Sequence, residues 1–210
     1  MTAAEITVAE TSSACRTLGP GVRYVLWVQG CPLSCPGCVS PQWLSFTGGT
    51  RVPVPALAAE IVRTARDGLT ISGGEPFSQA PALAALIAEI RRQRDLSVMC
   101  YTGHTLAHLR RSRDPAVHEL LGSLDLLVDG PYIAARHGDL RWRGSDNQRL
   151  HALTDRHAEE LTGPDTSAGL DFAIRTDGTL QWQGVPAVPH FKNRFEAALD
   201  IVAPGEDKDR

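Results

Sequence analysis

"RYVLWVQGCPLSCPGC" occupies residues 23–38 and joins a run of β-branched and aromatic residues to three closely spaced cysteines. Its first seven residues predict a buried strand, because such side chains pack well on a pleated surface. The strand passes directly into a loop in which glycine and proline surround Cys31, Cys35 and Cys38. This stretch therefore predicts a strand that carries a cysteine cluster at its carboxyl end.

Downstream of the cysteines, strands and helices alternate. The predicted strands are LTIS, LSVMCYTG and LDLLVDG, and the predicted helices are VPALAAEIVRTARDG, APALAALIAEIRRQR, TLAHLRR and PAVHELLGS. Such alternation implies an α/β fold with a parallel sheet and right-handed crossovers, in which ligands bind beyond the carboxyl ends of the strands. The cysteine loop, GGEP, YTG and VDG each follow a predicted strand, so we expect them to meet at one edge of the sheet.

The two ends of the chain differ from this centre. Residues 1–16 are a predicted N-terminal segment with a short edge strand, EITVAE, and residues 17–160 are the predicted α/β domain. Residues 161–210 are a predicted C-terminal extension, with the β-hairpin LDFAIRTDGTLQWQG, a last helix in PHFKNRFEAALDIV and a solvated tail. The intervening segment HGDLRWRGSDNQRLHAL has no clear period.

The composition is that of an ordinary globular protein of 210 residues, with 42% hydrophobic and 21% charged residues. A formal net charge of −3 offers no general attraction to nucleic acid or to an anionic membrane. The first residues lack the basic start and apolar core of a signal peptide, and the longest apolar runs are too short to span a bilayer. We therefore expect a cytoplasmic protein, in which thiols stay reduced.

Three of the five cysteines fall within eight residues, at the spacing C-x-x-x-C-x-x-C. A disulfide framework fits neither a reducing compartment nor a large apolar core. Structural zinc usually has four ligands in two separated pairs, and the sequence has no second pair. A four-iron cluster held by three thiolates leaves one iron open to another ligand. The spacing alone leaves zinc and iron–sulfur sites open, whereas the isolated Cys15 and Cys100 are predicted to be structural.

The order of the motifs resembles a known superfamily. C-x-x-x-C-x-x-C directly after the first strand, and GGEP at the end of the next, are similar to the two signatures of the radical S-adenosylmethionine (SAM) enzymes. The segments LGPGVRYVLWVQGCPLSCPGCVSPQWLSFTGG, YTGHTL and LLVDGPYIAARHGDLRWRGSDNQ resemble the small activating enzymes of anaerobic ribonucleotide reductase. The resemblance extends over about residues 17–151.

The resemblance implies a partial, TIM-like βα barrel that binds a 4Fe-4S cluster and SAM. Reduction by a flavodoxin or ferredoxin-type electron donor would put one electron into the sulfonium, which releases methionine and a 5′-deoxyadenosyl radical. That radical would abstract a hydrogen atom from a glycyl-radical protein such as the reductase. Neither nucleic acid nor a membrane is an expected partner. The alternative is a radical SAM enzyme that acts on a small molecule or peptide in a biosynthetic pathway.

The same resemblance assigns residues at the strand ends to the cofactors. The expected cluster ligands are Cys31, Cys35 and Cys38. The residues expected to contact SAM are Gly73, Gly74, Glu75, Pro76, Tyr101, Thr102, Gly103 and Asp129. No side chain is assigned to catalysis.

Each of these SAM contacts has an ordinary structural interpretation beside the functional one. The glycine pair would let a strand end lie against the methionine part of SAM, or is a plain turn. Glu75 would meet the SAM ammonium group, or is a carboxylate at a helix start. Tyr101 would meet the ribose or carboxylate and Asp129 the amine or ribose, or these residues cap a strand and form an Asp-Gly turn.

Two features leave the target open. Val39 follows the third cysteine, where the family often carries an aromatic residue. The second is the C-terminal part, from ALTDRHAEEL to the end, which contains a hairpin with no inferred partner. A separate, family-typical cluster consists of Arg143, Ser145, Asn147 and Gln148, and its contacts with SAM, with the partner protein or only within the cluster are left open.

Overall fold

Eleven strands and four α-helices make up the part of the chain that the computed structural model describes, residues 3–174, 178, 180–191, 194–195 and 197–198. The strands are β1 (Glu5–Cys15), β2 (Arg23–Val28), β3 (Thr50–Pro53), β4 (Gly68–Gly73), β5 (Ser97–Tyr101), β6 (Leu126–Asp129), β7 (His137–Leu140), β8 (Arg143–Ser145), β9 (Arg149–Ala152), β10 (Leu170–Ile174) and β11 (Leu180–Gly184). The helices are α1 (Val54–Thr64), α2 (Ala80–Arg91), α3 (Leu106–Arg110) and α4 (Pro115–Gly122).

Seven strands form one mixed sheet in the order β3-β1-β2-β4-β5-β6-β9. The four central strands, β2, β4, β5 and β6, run parallel, and helices connect them. Antiparallel strands flank this centre: β1 and β3 on one side and β9 on the other. The predicted α/β fold with a parallel centre is therefore confirmed, while the curvature of a partial barrel stays a prediction.

The two faces of the sheet have different cover. Along β2, Tyr24, Leu26 and Val28 join the main core, in which α1, α2 and α4 pack against the strands. The alternate residues Val25 and Trp27 belong to a smaller cluster on the opposite face. Every residue of β2 is buried, since neighbouring side chains of a strand point to opposite faces and both faces are covered. The second face is the one that borders the candidate site.

A fully buried arginine joins the amino ends of the central strands. The Arg23 guanidinium donates to the Thr70 hydroxyl at 2.6 Å, the Leu69 carbonyl at 2.6 Å, and the hydroxyl and carbonyl of Ser97 at 2.9 and 3.1 Å. Burial lowers the pKa of Arg23 to about 10, which still leaves the side chain charged at neutral pH. The charge is satisfied by oxygen acceptors of β4 and β5, so it ties three strands together at the end opposite the cysteines.

Most of the predicted elements are confirmed, and the exceptions lie at the sheet edges. The prediction of a short edge strand near the N-terminus was wrong: β1 has 11 residues and lies between β2 and β3. β9 lies in the segment whose sequence showed no clear period, and its strand structure comes from its pairing with β6. The C-terminal hairpin is confirmed as β10 and β11, whereas Asp177 of its turn and half of the predicted last helix lie outside the described residues.

None of the described helices combines the length and the apolar character needed to cross a bilayer. The division of the chain into 1–16, 17–160 and 161–210 stays a prediction, although β1 is an integral part of the sheet.

Candidate functional site

The cysteine loop follows β2 at the carboxyl edge of the sheet. Its base is closed by two backbone bonds of 2.9 Å, from Gly30 N–H to the Trp43 carbonyl and from Cys31 N–H to the Leu44 carbonyl. A third bond, from Cys38 N–H to the Cys35 carbonyl at 3.1 Å, tightens the loop between the last two cysteines. All three loop cysteines are free thiols of intermediate exposure, so they are available as ligands.

Two of the loop thiols are held in surroundings that favour their protonated form. Burial raises the pKa of Cys31 and of Cys38, and the nearby charge of Glu75 adds to the effect at Cys31. A thiol ligates metal as the thiolate, and a metal cation supplies the positive charge that favours this form. The two lone cysteines differ, since Cys15 and Cys100 are fully buried in apolar clusters, as predicted.

Gly73 and Gly74 let the end of β4 lie directly against the cysteine loop. Gly73 has a φ of +104°, and a Cβ at Gly74 would lie 2.2 Å from the Gly30 carbonyl oxygen. Two backbone bonds fix this approach, from Gly74 N–H to Val28 O at 2.7 Å and from Glu75 N–H to Gly30 O at 2.8 Å. The glycine pair therefore positions the cysteine loop, a packing role that the sequence did not reveal.

Glu75 is a buried carboxylate that joins the ends of β4 and β5. Its Oε1 accepts hydrogen bonds from Phe77 N–H at 3.0 Å and the Thr102 hydroxyl at 2.9 Å, and its Oε2 accepts one from Gly103 N–H at 2.9 Å. Burial raises the pKa of Glu75, although these three donors and nearby His104 act in the opposite direction. The side chain thus caps the turn at 76–79, as the structural interpretation predicts, and also borders the cavity described next.

A cavity of about 120 Å³ lies where the predicted motifs converge. Its lining includes all three loop cysteines and, from the predicted SAM contacts, Gly73, Gly74, Glu75, Tyr101, Thr102 and Gly103. We call it the thiol cavity. The cysteine loop, GGEP and YTG thus meet at the carboxyl edge, as parallel strands require, and VDG contributes Gly130.

Two of the residues predicted to contact SAM do not line the thiol cavity. Pro76 is buried at the start of the turn after Glu75. Asp129 faces a different cavity, where its Oδ2 accepts a hydrogen bond from Leu106 N–H at 2.6 Å and lies 3.2 Å from His151 Nε2. The structure therefore places Asp129 as a cap for α3 rather than beside the cysteines.

The family-typical group around residues 143–148 mainly braces the loop after β6. Gln148 accepts from Gly144 N–H and Ser145 N–H at 3.0 and 3.2 Å, and donates to Gly130 O at 3.1 Å. Asn147 donates to Pro131 O at 2.8 Å. Arg143 differs, because its side chain pairs with Asp165. Gln148 also borders the thiol cavity.

A second, larger cavity of about 310 Å³ adjoins the thiol cavity, and we call it the chamber. The two cavities share Ser72, Tyr101, Tyr132 and Gln148. Trp27 and Trp43 line the chamber from the sheet side, and Trp182 lines it from β11. No sequence pattern indicated this wall, because a hairpin pattern shows that two strands pair but not where the pair packs. Tyr132 could have been found, since it follows VDGP directly.

The residues of the thiol cavity fit a 4Fe-4S cluster. Three soft thiol ligands border one space, and no three His, Cys, Asp or Glu side chains among the described residues are placed to hold a single metal ion. A four-iron cluster makes a different demand, because each thiolate ligates its own iron. Gly73 and Gly74, at the end of β4, border the same cavity as the thiols.

Comparison with known proteins gives the same assignment. The family described as "4Fe-4S single cluster domain" matches residues 17–151. The chain is 36% identical over 146 residues to the anaerobic ribonucleoside-triphosphate reductase-activating protein of Vibrio cholerae, which covers 65% of this chain and 91% of that protein. It is 31% identical over 143 residues to the protein of the same name from Enterobacteria phage T4, and this alignment covers 65% of this chain and 88% of the phage protein. The Escherichia coli K12 protein of that name is 31% identical over 147 residues, with 64% and 91% covered.

Fold, cysteine loop and family match together define an iron–sulfur enzyme of the radical SAM class. The chain belongs to the family of anaerobic ribonucleoside-triphosphate reductase-activating proteins. Its cofactors are a 4Fe-4S cluster and SAM, and it is an oxidoreductase of the glycyl-radical-activating type. The zinc alternative is therefore replaced by the iron–sulfur assignment.

Proposed function

We propose that this chain generates a glycyl radical on an anaerobic ribonucleotide reductase. One observation carries the proposal: relatives named as activating proteins of that reductase align with this chain over 88–91% of their own length. When bound, the cluster and SAM supply a one-electron cleavage of the sulfonium that yields methionine and a 5′-deoxyadenosyl radical. Transfer of a hydrogen atom from a glycine Cα then leaves 5′-deoxyadenosine and a radical on the target, stabilised by the flanking amide groups.

The three loop thiols are proposed as the ligands that would hold three irons of the cluster, which would leave one iron open to a further ligand. Support comes from their shared position around the thiol cavity. Cys15 and Cys100 are buried elsewhere and take no part.

Glu75 is proposed to attract the SAM ammonium group. It is 1% exposed and borders the thiol cavity, where an opposite charge would favour the ionised carboxylate and offset the rise in its pKa. Thr102 and Gly103 act through Glu75, since both donate to its carboxylate. Gly73, Gly74 and the ring of Tyr101 shape the cavity.

Three finer features belong to the same proposal. The strands at the carboxyl edge form a partial barrel that is open to a protein target. The single electron comes from a flavodoxin or ferredoxin-type donor, because SAM cleavage consumes one electron per turnover. The enzyme works in the cytoplasm, where thiols stay reduced.

The test is to incubate reduced, cluster-loaded enzyme with SAM and the reductase encoded in the same genome. We expect a glycyl-radical doublet on the reductase in electron paramagnetic resonance. When the target glycine carries deuterium at Cα, the label should appear in 5′-deoxyadenosine. Loaded parent protein should contain about four irons and four sulfides per chain.

Matched cysteine variants control the experiment. Cys31→Ala, Cys35→Ala and Cys38→Ala should each lose the cluster absorbance and the radical, while Cys15→Ala and Cys100→Ala should retain both. Full iron content in all three loop variants would contradict the ligand assignment. Label that comes only from a small molecule would instead support the biosynthetic alternative.

A further inference from the structure

A third cavity, of about 540 Å³, lies beside β9, the last strand at one edge of the seven-stranded sheet. We call it the arginine cavity. Most of its lining comes from two separate parts of the chain: Leu106, Ala107 and Arg110 belong to α3, and Arg149, His151 and Ala152 belong to β9. Among the described residues it has no lining residue in common with the thiol cavity or the chamber. It is therefore separate from the proposed cofactor site.

The alternation of side chains along β9 places its arginine on the same face of the sheet as α3. Leu150 packs against the small cluster that contains Trp142, whereas Leu109 of α3 is part of the main core on the other face. Neighbouring side chains of a strand point to opposite faces, so Arg149 lies on the face that α3 covers. One helix and one strand, distant in sequence, thus each bring an arginine to the same cavity.

These two arginines, Arg110 and Arg149, are exposed and have no hydrogen-bond or ion-pair partner among the described residues. By contrast, Arg136, Arg143 and Arg156 each pair with an aspartate. A guanidinium carries five N–H donors in a planar fork that matches the oxygens of a phosphate or carboxylate. Two such groups are therefore available to an anion in the cavity.

The other polar groups at the cavity already have partners. Asp129, a carboxylate in the lining, is buried, accepts a hydrogen bond from Leu106 N–H at 2.6 Å and lies 3.2 Å from His151 Nε2. The Thr105 hydroxyl accepts a hydrogen bond from His108 N–H at 3.2 Å. The first N–H groups of α3 are thus in use, so an anion would be held by the arginines and not by the start of the helix.

The surroundings and the size of the cavity favour an anionic small molecule. Residues 105–113 contain three arginines and no acidic residue, although the whole chain has a formal net charge of −3. Such a local excess of positive charge attracts anions. The cavity volume lies within the range of small-molecule sites, so a ligand larger than a free phosphate ion fits. Leu106, Ala107 and Ala152 add apolar surface for an uncharged part of that ligand.

We propose that the arginine cavity binds a small molecule that carries a phosphate chain and is about the size of a nucleoside triphosphate. Arg110 donates to phosphate oxygens from α3, and Arg149 donates to them from β9. A phosphate chain offers several anionic oxygens, which suits two guanidinium groups that come from separate elements. The inference goes beyond the proposed function, because this site requires neither the cluster, nor SAM, nor the target protein.

The test measures binding by calorimetry to cluster-loaded full-length protein, without reductant and with saturating SAM, so that the cofactor site is filled. The probes are ATP, tripolyphosphate, adenosine and citrate, all without magnesium. We expect ATP and tripolyphosphate to bind at one site per chain, and ATP to bind more tightly because its uncharged part adds apolar contacts. Adenosine and citrate should bind at least about tenfold more weakly than ATP, since each lacks the phosphate chain.

Matched arginine variants locate the site. Arg110→Gln and Arg149→Gln should each weaken the binding of ATP and of tripolyphosphate about tenfold, because each removes a charge-assisted hydrogen bond. Arg113→Gln is the control, since Arg113 is exposed and close to α3 but does not line the cavity. It should change both affinities by less than about twofold at physiological salt, which screens distant exposed charges. An equal loss in all three variants would indicate a general basic surface and overturn the inference.

Melting temperatures separate ligand binding from a structural role. Both cavity variants should melt within about 2 °C of the parent without ligand, because the arginines that they replace are exposed and unpaired. Saturating tripolyphosphate should raise the melting temperature of the parent and of Arg113→Gln, but not that of the cavity variants. Larger losses of stability without ligand would make the arginines structural and overturn the inference. Failure of the parent to bind either phosphate probe, displacement of SAM by ATP, or citrate binding as tight as that of tripolyphosphate would also overturn it.

Discussion

At the scale of single residues, Glu75 shows how opposing effects set the charge of a buried group. Three hydrogen-bond donors favour its ionised form, whereas burial of a residue that is 1% exposed favours the neutral form. Burial is the larger effect, so the pKa of Glu75 lies above its ordinary value. The same carboxylate joins the end of β4 to the end of β5, and its protonation therefore affects both the stability and the shape of the site.

We expect Glu75→Gln to lower the free energy of unfolding by about 1–3 kcal/mol, since an amide has one acceptor oxygen and leaves a buried donor unpaired. Because the native pKa is raised, Glu75 stabilises the parent fully below the pKa of the unfolded chain and less as pH rises through the native pKa. The difference in free energy of unfolding between parent and variant, measured by urea unfolding, should therefore become smaller as the pH rises from about 4 to 8.

Glu119→Gln is the matched control, because Glu119 is exposed on α4. It should change the free energy of unfolding by less than about 0.5 kcal/mol at every pH. A difference between parent and Glu75→Gln that grows with pH would contradict the raised pKa.

At the scale of elements, the close approach of β4 to the cysteine loop depends on a position without a side chain. We expect Gly74→Ala to lower the free energy of unfolding by about 1–3 kcal/mol, because its Cβ would lie 2.2 Å from the Gly30 carbonyl oxygen. The strand end and the loop must separate, so the variant should also retain less iron after desalting. Denaturant unfolding and iron content measure the two effects.

Gly122→Ala serves as the control, since a Cβ there would meet no atom within 4 Å. It should leave iron content unchanged and should not destabilise the protein. Parent-like stability and iron content in Gly74→Ala would show that the glycine pair is only a turn.

The elements that the sequence predicted are those whose burial follows a simple period. β2 and α2 were predicted correctly, because alternation and helical spacing of apolar residues reflect burial directly. β9 was not predictable, since its mixed residues Arg149–Ala152 gain their strand structure from pairing with β6. The pairing of β1 with β3 was equally unpredictable, because strand order in a sheet depends on contacts between distant segments.

The candidate site also has parts that the sequence could predict and parts that it could not. Spacing and the placement of motifs after strands located the cysteines, GGEP and YTG at one edge. Asp129 lies outside the thiol cavity and accepts a hydrogen bond at the start of α3, and the sequence could not show this because a residue at the end of a strand can point to either face. The chamber depends on where a hairpin packs, which no local pattern encodes.

At the scale of the whole molecule, an added C-terminal segment lies across the family core. Its linker is held on one side, where Arg143 pairs with Asp165 and Ser167 N–H donates to Asp139 at 2.8 Å. Its hairpin is held on the other side, at Arg16 and Thr17. The added segment is thus attached to the core at two places, and its strand β11 lines the space beside the thiol cavity.

If the hairpin of β10 and β11 packs stably against the core, removing one of its hydrogen bonds to the core should increase local opening of the hairpin and leave the core unchanged. Asp171→Ala removes the acceptor of the Arg16 N–H, a loss of about 1 kcal/mol for local opening. Amide hydrogen exchange in β10 and β11 should then become about fivefold faster, with no change in α2 and no loss of iron. Arg92→Gln, which breaks an exposed pair with Glu89 on α2, should leave exchange in the hairpin unchanged. Exchange in the parent hairpin at the rate of an unstructured peptide would show that it is no wall, and the chamber would then be open on that side.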